Sequence, residues 1–143
     1  MKNILKHQHA VPFTAAVLLV LFLASCGGGG AQRQVQEERL EEVKAEVSQD
    51  LNQLKNNVDE RITTIEKEME NAEGELKEQL EIAIEALKEQ RDILDQELEV
   101  VEEATLEEWE DVVNRVTMTY REANEEMNSV SENVNEWLER EQE

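Results

Sequence analysis

From Leu40 to Leu87 the apolar residues of this chain return every three or four positions without a break. Leu40, Val43, Val47, Leu51, Leu54, Val58, Ile62, Ile65, Met69, Ala72, Leu76, Leu80, Ala83 and Leu87 step by 3, 4, 4, 3, 4, 4, 3, 4, 3, 4, 4, 3 and 4. Such spacing lays one stripe along an α-helix. Much of it repeats every eleven residues, as in Leu40, Leu51, Ile62 and in Val43, Leu54, Ile65, Leu76, Leu87, Leu98. Eleven residues in three turns is about 3.67 per turn, which predicts a nearly straight or slightly right-handed supercoil. From Glu37 onward there is no proline, and Gly74 is the sole glycine. Of the 35 acids 30 are Glu and 5 are Asp. Glutamate is a good helix former and aspartate a poor one, so the acids read as the solvated faces of long helices.

The period changes near the end. Trp109, Val113, Val116, Tyr120, Ala123, Met127, Val130, Val134 and Trp137 step strictly by 4 and 3. This is a heptad seam over four repeats, the pattern of left-handed coiled-coil packing. Thr105 and Glu108 have capping-box spacing, and Ala104 and Trp109 hold the hydrophobic-staple positions. A separate helix is therefore expected at about 106–140. The aromatic members Trp109, Tyr120 and Trp137 read first as core packing and second as a partner-facing stripe.

Gly74 leaves two readings open. The stripe crosses it in phase and Gly74 lies off the stripe, which favours one helix of about 68 residues, roughly 100 Å long. A glycine there costs only about 1 kcal/mol. Broken at Gly74, the chain yields pieces of about 37, 29 and 35 residues, lengths suited to a three-helix bundle. The expected fold is all-α: long amphipathic helices over residues 37–143 in a helical hairpin, three-helix bundle or coiled coil. Its candidate breaks lie near 74 and 104–105. Opposite charges at helical spacing, Glu41/Lys44, Glu73/Lys77 and Glu85/Lys88, add a few tenths of a kcal/mol each.

Ahead of the helices, Met1–His9 carries Lys2 and Lys6 and no acid, and Ala10–Leu23 is almost wholly apolar. Those 14 residues fall short of the roughly 20 that span a bilayer and have the proportions of a signal-peptide core. Ala24 and Ser25 then precede Cys26, the one cysteine. Residues 1–26 resemble the bacterial lipoprotein signal, whose lipobox is an aliphatic residue, two small residues and a cysteine. Leu23-Ala24-Ser25-Cys26 matches each position. The resemblance implies cleavage between Ser25 and Cys26, a diacylglyceryl group on the Cys26 thiol, and further acylation (palmitate) of the new amino terminus. Each buried methylene contributes about 0.8 kcal/mol, so two or more chains hold a protein stably on a membrane. The competing readings are a plain secretory signal, an uncleaved anchor and a reactive thiol. The last lacks an activating histidine.

Residues 1–25 are thus expected to be a signal peptide, and residues 26–36 the lipidated cysteine with a tether. Gly27–Gly30 behaves as flexible coil, and Ala31–Gln36 is read as extending it. In enterobacterial lipoproteins an aspartate after the cysteine marks inner-membrane retention. Gly27 stands there, so the resemblance implies the outer membrane of the cell envelope.

The segment Leu76–Val116 resembles small bacterial coiled-coil stress proteins of the cyanobacterial type, through the junction Ala104-Thr105 and the helix start Trp109-Glu110. That resemblance implies a stress-related role without defined chemistry; the lipid signal departs from it. The eleven-residue rows are also similar to exchangeable apolipoproteins, but those place basic residues beside the apolar face where this chain places Glu. A covalent peptidoglycan link, as in the major enterobacterial outer-membrane lipoprotein, needs a C-terminal lysine, whereas Glu141-Gln142-Glu143 stands here.

Composition closes off much chemistry. The net charge is −21, and without Lys2 and Lys6 twelve basic residues face 35 acids for −23. Such a chain repels phosphate, so no nucleic-acid partner is expected. His7 and His9 are the only histidines and both precede Cys26. Ser48, Ser129 and Ser131 therefore lack an activating base, and a Glu-x-x-His di-iron site is missing. There is no calcium loop pattern, and the glycine run lacks a following lysine. Carboxylate pairs such as Glu41-Glu42, Glu102-Glu103 and Glu107-Glu108 read as solvated faces. The expectation is a non-enzymatic, lipid-anchored acidic helical scaffold or stress-related interaction module. It is expected to have no cofactor, no metal and no small-molecule substrate. Its partners would be the membrane and, through the last seam, a second copy or a helical protein. The alternative is a lipid-binding or transport accessory with apolipoprotein-like helices.

Overall fold

Good helix formers fill the chain after the glycine run, and they fold into three helices. The computed structural model describes residues 31–141. It contains α1 (Ala31–Met69), α2 (Gly74–Glu103) and α3 (Trp109–Arg140). The signal segment, the cleavage pair Ser25 and Cys26, and the glycine run lie outside the described residues.

The helices form an up–down–up three-helix bundle. Ion pairs fix the directions. Asp59 meets Arg91 at 3.9 Å and Glu66 meets Lys88 at 3.7 Å, so numbers rise on α1 as they fall on α2. Glu97 of α2 meets Arg115 of α3 at 2.9 Å across a short connection, which makes that pair antiparallel too. The α1–α2 interface is the most extensive and the α1–α3 interface the least. The core runs the length of the bundle, with Leu51, Leu54, Val58, Leu80, Leu87, Leu94, Val101 and Val116 fully enclosed. Narrow helices gain most of their stability from burying such a stripe.

The continuous-helix reading is overturned. The last turn of α1 tightens through 3.2 Å bonds from Asn71 N to Glu68 O and from Ala72 N to Met69 O. Residues 70–73 then reverse the chain, and Gly74 takes φ +58. That left-handed conformation is cheap only without a Cβ. The stripe keeps phase across the break because α1 and α2 turn their apolar faces to the same core.

Other boundaries also shift. Residues 31–36, read as tether, are the first turns of α1. Arg33, Gln34 and Gln36 favour helix, and Arg33 Nε bonds Glu37 Oε1 at 3.2 Å one turn on. α3 begins at Trp109 rather than near 106. Thr105 Oγ1 donates to Glu108 Oε2 at 2.7 Å, and the Thr105 N–H donates to the same oxygen at 3.2 Å. With its hydroxyl so engaged, Thr105 offers no side-chain cap to the backbone. The chain makes a turn, with Glu108 N on Thr105 O at 3.2 Å, before Val112 N on Glu108 O at 3.1 Å opens the helix. These two bonds hold the Glu108 carboxyl below its ordinary range, the hydroxyl bond first.

Candidate functional site

The seam of α3 is the feature that the sequence singles out, and the bundle consumes it. Trp109, Val116, Ala123, Met127, Val130 and Val134 are buried, and Val113, Tyr120 and Trp137 are half-buried against the same core. Trp109 is 2% exposed. Core packing is therefore the arrangement found, and no bare apolar seam remains on α3 for a partner helix. The Trp109 indole Nε1–H is enclosed without an acceptor, an unpaired donor in the core.

The second half of α2 departs from the eleven-residue rows. Leu94, Glu97 and Val101 are buried, and Leu98 only partly. This half of α2 faces the heptad seam of α3 and follows its period. Glu97 thereby enters the core row, its side chain 9% exposed. Arg115 Nε donates to both carboxylate oxygens, at 3.0 and 2.9 Å. A buried carboxylate costs several kcal/mol, about, unless so paired. Residue type gave no warning of this burial, since glutamate elsewhere in the chain marks the solvated faces.

Surface charges pair across helices as often as along them. Glu41 and Lys44 form their pair at 3.3 Å, and Lys44 Nζ also donates to Glu102 O at 3.0 Å, where the last carbonyls of α2 lack partners. Lys88 reaches Glu66 of α1 instead of Glu85. Glu73 is extended, with φ −128 and ψ 162, so it is not one helical turn from Lys77. Lys55 pairs with Asp95.

An open cleft of about 530 Å³ lies between the start of α1 and the α2–α3 connection. Its walls include Glu37, Glu38, Leu40, Ala104 and Leu106, and Arg33 spans it from Glu37 to Glu107 at 3.3 Å. Carboxylates and one guanidinium form ion pairs there. Among the described residues no group of three or more His, Cys, Asp or Glu is placed to hold a metal. Among them also no helix is long and apolar enough to cross a membrane.

Burial sets the remaining shifts. Asp50 on α1 is pushed above the usual aspartate range by burial. Tyr120 on α3 is pushed up by burial first and by the Asp50 charge second, which places the two across the α1–α3 groove. No family model, curated protein or solved structure matches the chain.

Proposed function

We propose that this chain is a lipid-anchored bacterial envelope protein. Its acidic three-helix body acts without bond-making chemistry, as a scaffold or stress-related interaction module. The observation that carries the reading is Leu23-Ala24-Ser25-Cys26 following an apolar stretch of 14 residues. Two features of the body support it. α1 starts at Ala31, so only Gly27–Gly30 separate the helix from Cys26. The core closes on itself, which suits a body exposed to water beside a membrane.

The lipid-carrier alternative gains nothing from the fold. Its apolar stripe faces inward, and meeting lipid would require opening the bundle.

The test is mass spectrometry of the full chain expressed in a bacterium, with radiolabelled palmitate incorporation. The expected result is an acylated Cys26 at the mature amino terminus and a membrane-bound protein. Cys26→Ser should lose the label and accumulate as uncleaved precursor. An unmodified residue 26, or a chain trimmed elsewhere and released to the medium, overturns the proposal.

A further inference from the structure

The two reversals of this bundle differ in kind. The first ends in Gly74 at φ +58, and a glycine there opposes a continuous helix. The connection from α2 to α3 holds no such residue. Glu102, Glu103, Ala104, Leu106, Glu107 and Glu108 are all good helix formers. Ala104 leaves the helix at φ −59 and ψ 133, whereas Glu108, at φ −93 and ψ −12, is already in the right-handed helical region. Exposed contacts hold the turn: two bonds from Thr105 to the Glu108 carboxylate, and the Arg33–Glu107 pair across the cleft. α3 has no side-chain cap, and the Glu102 carbonyl is met by Lys44 of α1. A helix running straight through would satisfy both ends with its own backbone.

Such a helix would also keep its apolar face. Leu98, Val101, Thr105, Trp109, Val113 and Val116 step by 3, 4, 4, 4 and 3. Glu97 and Arg115 stand 18 residues apart. That is about five whole turns, so on a continuous helix the two point the same way. Two copies of that helix laid antiparallel, about a two-fold axis midway between the pair, bring Glu97 of each onto Arg115 of the other. This is the register that α2 and α3 already hold within one chain.

We infer that two copies of this chain exchange α3. The connection Ala104–Glu108 straightens, and α2 and α3 become one helix from 74 to 140, roughly 100 Å long. Each α3 then packs on the α1–α2 hairpin of the other copy. α3 is the helix that leaves because its neighbours hold it least. Exchange rebuilds the closed core between chains, so the dimer needs no new surface. That favours it in a chain of net charge −21, whose outer faces repel one another. The Arg33–Glu107 pair is given up. The turns of α1 before Leu40, where the buried core begins, yield where the two α1 starts meet. This inference does not depend on the lipid anchor.

The test uses the full chain in detergent, with Cys26→Ser so that introduced thiols stand alone. One sample carries Glu97→Cys and the other Arg115→Cys. Refolded together and treated with a short bismaleimide, they should give a covalent dimer whose peptides join position 97 of one chain to 115 of the other. The chain unaltered at both positions should show monomer and dimer by sedimentation equilibrium. Thr105→Pro blocks the continuous helix, because its ring clashes with the carbonyl of residue 101. The closed bundle accepts it better, since Ala104 already holds the extended conformation that precedes proline. It should raise the dimer dissociation constant at least about a hundredfold and remove most of the 97–115 link. Glu108→Ala frees Thr105 and should raise the dimer fraction. Where Thr105→Pro loses helicity by circular dichroism, Ala104→Gly replaces it and should weaken the dimer about tenfold. A refolded mixture at about millimolar concentration that yields no 97–115 link overturns the proposal. So does a helical Thr105→Pro or Ala104→Gly mixture that cross-links as fully as its parent.

Discussion

Replacing Arg115 by alanine should harm the bundle more than removing the carboxylate it serves. Glu97 sits between Leu94 and Val101 in the core row of α2, with both oxygens bonded by one guanidinium nitrogen. Its side chain is 9% exposed, that of Arg115 53%. Breaking a fully buried ion pair from one side costs about 3–5 kcal/mol. Here the outer partner is half in water, which can follow it inward, so Arg115→Ala should cost about 1–3 kcal/mol. For a domain of this size that is a drop of roughly 4–12 °C in melting temperature. Glu97→Met fills the same space with an unbranched apolar chain and releases Arg115 to solvent. It should leave the melting temperature unchanged or raise it. The double variant should behave like Glu97→Met alone, since Arg115 then has nothing to neutralise. Thermal melts followed by circular dichroism, with urea titrations to confirm a constant m-value, read all four corners of the cycle. An Arg115→Ala melt matching wild type, with Glu97→Met falling as far as a core truncation, would refute the reasoning.

Three further outcomes follow from the same geometry. Trp109→Glu places a charge at an enclosed core position and should cost at least about 3 kcal/mol, whereas Trp109→Phe also removes an unpaired donor and should cost about 1–2 kcal/mol, both by urea denaturation; unchanged helicity and melting in Trp109→Glu would contradict the burial. Gly74→Ala should destabilise by about 1 kcal/mol through left-handed strain alone, since nothing lies within 4 Å of the added Cβ, and Gly74→Asn should cost less. Tyr120 is the one tyrosine and its pKa is raised from 10.0, so the stability it contributes is complete below pH 10 and is lost as pH climbs through the folded value; phenolate absorbance should show ionisation displaced upward in the folded chain, and Tyr120→Phe should flatten the alkaline fall in melting temperature.

The helices were legible in the sequence because burial follows residue type along most of the stripe. Leu40, Val47, Leu51, Leu54, Val58, Ile62 and Ile65 are all in the core. The seam of α3 was legible for the same reason. Gly74 left both readings open, because phase continuity is a property of the stripe and says nothing about whether the helix axis reverses. The start of α1 was missed because a glycine run lends its flexibility to whatever follows only until helix formers take over. Glu97 was illegible since its burial depends on an arginine eighteen residues away on another helix.

A closed core moves the work of this protein onto its surface, and the surface is overwhelmingly acidic. With Cys26 acylated as proposed, the chain between it and α1 reaches at most about 17 Å. Anionic headgroups repel Glu37, Glu38 and Glu41 over a screening length of roughly 8 Å in physiological salt. Repulsion and tether then act together: the lipid holds the body to the bilayer, and the charge holds it upright and away from it. The same charge repels neighbouring copies of the body.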